Sequence, residues 1–343
     1  QVEYKSDALL GVLVEIIDIA NTGPGQRPIV TFSLSNKWGP LPPSYLNRLR
    51  FSLSGPNDDF AFYAQDDALN ALTADGPNWK FQFETPLPND AMGSFSLGVE
   101  GRINSWILNP EADEDDQIDV RDQMQNFIEP FAVTGDMIDP RRMVVDDMKC
   151  ESCHSNLSLH GSNRHDANGY CQTCHMPSAT DEEVREPGDT PQSIDFRYMV
   201  HKIHRGEELK RGYVVAGHNN SVHDYGHVIY PGDLRNCVSC HESGTYSVPL
   251  PEGTSLVKNI RAGDSDSEPY DMIVIGAGPG GSLPPTPEDG YDHALDCDPA
   301  SHPSGLARGS RLEHLQGPRS RNPQADEHPL ASFGGLRSGG QMA

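Results

Sequence analysis

Over residues 9 to 135 the apolar positions recur with a period of two, the signature of strands that bury one face. Val30, Phe32 and Leu34 alternate with Thr31, Ser33 and Ser35, and Leu49, Phe51 and Leu53 alternate with Arg50, Ser52 and Ser54. Trp79, Phe81 and Phe83 repeat the pattern, as do Phe95, Leu97 and Val99. A last strand near Phe127 to Val133 contains Pro130, which removes a ladder donor and therefore suits a sheet edge. The pattern predicts a mainly β N-terminal domain over residues 1–140, an antiparallel sandwich or barrel.

Near Pro140-Arg141-Arg142 the alternation stops, and residues 141–262 contain few long apolar segments. One helix is well signalled there, from Ser193 as N-cap to Gly206 as its stop. His201 and His204 stand three apart on it and so share a face. Beyond residue 263 neither periodicity persists, and residues 271–343 hold 12 Gly and 9 Pro, a composition expected of a low-complexity, disordered tail. Gly276, Gly278 and Gly281 satisfy Gly-x-Gly-x-x-Gly, but Pro284, Pro285 and Pro287 occupy the place where a phosphate-binding helix must start. Dinucleotide binding is therefore not expected.

Charge narrows the partners. With 26 Lys plus Arg against 50 Asp plus Glu, the net charge is −24, which argues against nucleic acid and anionic membranes. The acidic run 111–116 lacks the spaced ligands and glycine of an EF-hand and reads as a solvated loop. No apolar run approaches the roughly 20 residues of a membrane span. Gln1 stands where an initiator Met is expected, so the N-terminus reads as processed or trimmed.

The cysteines carry the chemistry. Six of the seven form Cys150-Glu-Ser-Cys153-His154, Cys171-Gln-Thr-Cys174-His175 and Cys237-Val-Ser-Cys240-His241, with Cys297 left over. Zinc ribbons and redox dithiols also use Cys-x-x-Cys, but neither requires a histidine after every second cysteine. The spacing is that of c-type haem attachment: two thiols bond the porphyrin vinyl groups while the adjacent histidine ligates iron. Three covalent haems are expected, with packing around the porphyrins supplying much of the core of a mostly irregular and helical second domain. Such attachment places the chain outside the cytoplasm.

His154, His175 and His241 are the proximal ligands on this reading. Outside the tail, His160, His165, His201, His204, His218, His223 and His227 remain for three sixth positions, so bis-histidine irons are the expectation. His160, His201 and His204 are the favoured distal ligands, His223 is a further candidate, and His165, His218 and His227 rank behind. His201 and His204 are expected to serve two different irons. Filled sixth positions imply electron transfer rather than bond chemistry. A multihaem reductase and a haem-bearing filament subunit are the alternatives.

The stretches Cys150 to Gly161, Tyr170 to Pro177, Ser193 to Gly206 and Tyr230 to His241 resemble the OmcA/MtrC family of outer-surface decahaem c-type cytochromes. The resemblance, with the β-rich first half, covers about residues 8 to 255. It implies alternating β and pentahaem domains that pass electrons to metal oxides, soluble metals or flavins. The implied partners are other multihaem cytochromes or an outer-membrane porin–cytochrome conduit, at the cell surface. Three motifs stand where it implies five per haem domain and ten overall, so the chain reads as a truncated form, with a true three-haem relative as the alternative.

Overall fold

The computed structural model of this 343-residue chain describes residues 9–108, 117–155, 157–209 and 212–246. All of these fall within one compact unit, Gln1–Ala300. The acidic run 111–116, the glycine fingerprint, Cys297 and the segment 263–343 lie outside the described residues.

The first half is built from β1 (Leu13–Ala20), β2 (Ile29–Asn36), β3 (Gly39–Pro40), β4 (Arg48–Gly55), β5 (Phe62–Asp67), β6 (Thr73–Asp75), β7 (Asn78–Gln82), β8 (Ser94–Leu108), β9 (Gln117–Gln123) and β10 (Phe127–Ala132). They form two antiparallel sheets. One runs β1-β2-β7-β6 with β3 on β2, and the other β10-β8-β4-β5 with β9 on β8. Because the sheets share no strand, the architecture is a sandwich rather than a barrel. Phe51 of β4 reaches across to Phe32 of β2 at 5.1 Å between ring centroids and to Phe81 of β7 at 5.5 Å. The apolar positions of the alternating strands converge on this core, with Val30, Leu34, Leu49, Leu53, Phe83, Phe95, Leu97 and Val99 buried and Trp79 packed at its margin. Pro130 sits on β10, at the end of its sheet order, as its missing donor requires.

On one sheet the alternation misleads. Ser52 and Ser54, read as polar positions alternating with the core, are 0% exposed, as is Ser96 on β8. Tyr170 of the second half packs against this face: a Cβ added at Gly98 would stand 2.4 Å from Ser52 Oγ and 2.9 Å from the Tyr170 ring. Small residues on that face make room for the ring. The Tyr170 hydroxyl then donates to Glu100 at 2.8 Å.

In the second half the described helices are short: α1 (Asp147–His154), α2 (Tyr170–Cys174) and α3 (Phe196–Arg205). A hairpin of β11 (Val214–Gly217) and β12 (Ser221–Asp224) follows, and the rest is irregular. Helix α3 begins later than its sequence suggests. Asp195, not Ser193, caps it by accepting from the Tyr198 N–H at 3.0 Å, while Ser193 Oγ accepts from the Asp195 N–H. Gly206 ends it as expected, at φ 38 and so close to the Val228 carbonyl that no side chain fits. At the junction of the two halves, Arg141 and Arg197 converge on the buried Asp59 at 3.0 and 3.7 Å.

Candidate haem-ligation site

Each attachment motif sits on a tight helical turn, and the three turns lean on a common frame. Asp146 caps α1 through the Met148 N–H at 2.9 Å, so Cys150, Cys153 and His154 ride one helix. Asp166 accepts from the Gly169 and Tyr170 N–H groups and so starts α2, which carries Cys171 and Cys174 into His175. Cys237 to Ser239 form a 3-10 turn that runs into Cys240 and His241. The first and third motifs touch directly: Val145 bridges His241, and the Asp146 N–H donates to the Cys240 carbonyl at 3.1 Å. Cys150, Cys153, Cys171, Cys174 and Cys240 are free thiols.

Every motif histidine faces a histidine from elsewhere. His154 meets His204 with ring centroids 5.9 Å apart, His175 meets His160 at 6.0 Å, and His241 meets His201 at 5.9 Å. Metal–imidazole bonds of about 2 Å on opposite sides of one ion, plus the half-widths of two rings, separate coaxial centroids by about 6 Å. The donor set therefore fits a six-coordinate iron whose four remaining ligands are porphyrin nitrogens. Among the described residues no group of three or more His, Cys, Asp or Glu converges as a structural zinc site needs.

Backbone carbonyls fix the tautomers. Nδ1–H of His175 donates to Ile194 O at 2.7 Å, that of His201 to Arg197 O at 2.6 Å, and that of His204 to Val200 O at 2.8 Å. A carbonyl only accepts, so the proton stays on Nδ1 and Nε2 is left bare for a metal. Local desolvation lowers His241, which is half-buried, to about 4, with His201 adding to the effect, and lowers His160 to about 4 with Arg164 adding, although His160 keeps an exposed edge. His154, His175 and His201 are lowered by burial as well.

On α3, His201 lies against His241 of the third motif and His204 against His154 of the first. His160 is delivered differently, at the tip of a turn closed by Leu159 and Arg164, with His160 and Gly161 both at positive φ. The β-sandwich holds that turn. Arg164 pairs with Glu100 at 2.7 Å, Arg102 donates to Asn163 at 2.8 Å, and Arg121 donates to the Gly161 carbonyl.

The other histidines are placed elsewhere. His165 is buried and its Nε2 accepts from the Asn126 N–H at 3.0 Å, while the Asn126 side chain accepts from the His165 N–H at 3.0 Å. His223 is exposed on β12 with Nε2 3.0 Å from Ser221 Oγ, and His218 and His227 are exposed. The sequence reading missed Glu100, whose position in an alternating strand gave no hint that a second layer would bury it.

Residues 142–269 match the family described as outer membrane cytochrome MtrC/MtrF-like, domains II/IV. The match places residues 142–269, rather more than a third of the chain, in a domain of that family. No curated protein matches the chain. Among solved structures it is similar to the outer membrane decaheme cytochrome OmcA, at 19% identity and a TM-score of 0.47, over 67% of this chain and 40% of that one. It is also similar to MtrC from Shewanella baltica OS185, at 17% identity and a TM-score of 0.41, over 57% of this chain and 38% of that one. The chain thus spans about two fifths of the length of these relatives. Among the described residues no helix is long and apolar enough to cross a membrane.

Proposed function

We propose that the chain is an extracytoplasmic three-haem c-type cytochrome that conducts electrons at the cell surface between multihaem or porin–cytochrome partners and external acceptors such as metal oxides, soluble metals or flavins. The observation that carries the reading is the matched set of three ring pairs, each joining a motif histidine to a histidine of different origin. Cys150 and Cys153, Cys171 and Cys174, and Cys237 and Cys240 would tether the porphyrins. His154 with His204, His175 with His160, and His241 with His201 would close the irons from both sides.

Bound haem supplies a one-electron iron couple. The protein's part is to hold both axial rings still, so that little has to move when charge changes. The Ile194, Arg197 and Val200 carbonyls do this by orienting Nδ1. With two imidazoles per iron no coordination position is left for a substrate, which disfavours a reductase. Helix α3 brings its two ligands to neighbouring motifs, and close spacing favours hopping between sites.

The test is a haem count. Chain produced in a host competent in cytochrome maturation should retain three haems under denaturing mass spectrometry and show low-spin visible spectra. Recovery of zinc, or of a haem-free chain, would overturn the proposal.

A further inference from the structure

The three ring pairs share a separation but not an orientation. The planes of His201 and His241 lie at 19° and those of His160 and His175 at 33°, whereas His154 and His204 stand nearly crossed at 81°. Two contacts fix the His204 plane. One is the Nδ1–H bond to Val200 O at 2.8 Å, set by the helix. The other is Tyr230, whose ring meets that of His204 edge to face at 5.7 Å and 82°. Tyr230 is itself held: its hydroxyl lies 3.5 Å from Ser239 Oγ inside the third motif, and Gly232 follows so closely that an added Cβ would stand 3.2 Å from its ring.

An imidazole donates π density into the iron d orbital that its own plane selects. Two parallel rings raise the same orbital and split the pair. Two crossed rings raise one orbital each and leave them nearly equal in energy, which makes the ferric magnetic response strongly anisotropic. With crossed rings the ferric hole also gains less from ligand donation, so that iron is shifted toward its reduced form. Ring orientation, set by groups beyond the ligands, is thus a tuning lever of the protein.

We infer that Tyr230 is a positioning residue that holds the His204 imidazole crosswise to His154 and so makes the first-motif iron electronically distinct from the other two. The inference rests on the six-coordinate reading proposed above. It gives one of three sites an individual character through a side chain that acts on a ligand ring and is not itself a ligand.

Electron paramagnetic resonance of the oxidised holoprotein tests it. The expected spectrum holds one strongly anisotropic low-spin signal and two rhombic ones, and His204→Ala should remove the anisotropic signal and create a high-spin one. Tyr230→Ala, or Tyr230→Leu should the first variant fold poorly, should shift the anisotropic signal toward rhombic with the iron still low-spin and its potential lowered. Tyr230→Phe keeps the ring and should restore the wild-type spectrum. Three rhombic low-spin signals in the wild type would overturn the inference and leave six-coordination standing. An anisotropic signal indifferent to loss of the Tyr230 ring would remove Tyr230 from the role. A high-spin signal in the wild type would overturn the six-coordinate reading, and the inference with it.

Discussion

Glu100 joins the two halves of the molecule, and replacing it with Gln should loosen them in a defined way. Its side chain is fully buried, with Arg48 Nε at 2.6 Å, Arg164 Nε at 2.7 Å and the Tyr170 hydroxyl at 2.8 Å. Burial alone would raise its pKa, but Arg164, the Tyr170 hydroxyl and Arg48 together hold the carboxyl below the ordinary carboxylate range. An amide keeps the shape, loses the charge, and turns donor hydrogens toward at least one guanidinium. Removing one partner of a buried pair costs about 3–5 kcal/mol. Both arginines are 21% exposed, which favours the lower end of that range. About 3 kcal/mol corresponds to roughly 6–12 °C in midpoint for a unit of this size.

The pH dependence gives a second check on Glu100. A carboxyl with a depressed folded pKa stabilises fully above its unfolded value, about 4.3 for Glu. That contribution is lost as pH falls through the folded value. Thermal unfolding of wild type and Glu100→Gln should therefore differ most at pH 7 and converge in acid. Because Arg164 also closes the turn that presents His160, the variant should perturb the second-motif haem before the other two. A difference below about 1 kcal/mol, a difference constant with pH, or equal disturbance of all three haems would refute the clamp.

Three further outcomes are expected. His201→Ala and His204→Ala should each turn one iron high-spin and the double variant two, read from visible and magnetic spectra; a silent single variant would break the assignment. His165→Ala should leave every iron low-spin while costing about 1–3 kcal/mol in unfolding experiments, because it leaves the buried Asn126 N–H without its acceptor. With a net charge of −24, electron transfer to a cationic acceptor should slow as salt rises past about 0.1 M, where screening acts over about 10 Å.

The strands were legible because a two-residue period describes a sheet with one wet face, and the Phe32, Phe51 and Phe81 core obeys it. The same rule failed at Ser52, Ser54, Ser96 and Glu100, where a second layer lies on the face that the alternation assigns to water. The histidine pairs were legible in part. Cys-x-x-Cys-His is a contiguous pattern, and the three-residue spacing of His201 and His204 is a local helix property. The partner of each distal ring was not, since His154 with His204 and His241 with His201 are tertiary pairings. His165 shows the limit most plainly: its type and neighbourhood qualify it for a metal, and only the backbone of Asn126 shows that its Nε2 is already engaged.

Helix α3 also bears on how the molecule is assembled as the chain emerges. The second site is local, since its two histidines lie at positions 160 and 175 and can meet as soon as that stretch is out. The first and third sites run from position 154 to 204 and from 201 to 241, and they interlock through one short helix. The first site cannot close before α3 has formed, and the third must wait for His241. A helix of ten residues has little stability of its own in water. On the proposed ligation the order of biogenesis would follow the chain: the second site would mature early and alone, the first once α3 is out, and the third last, with α3 as the part whose loss would open both later sites.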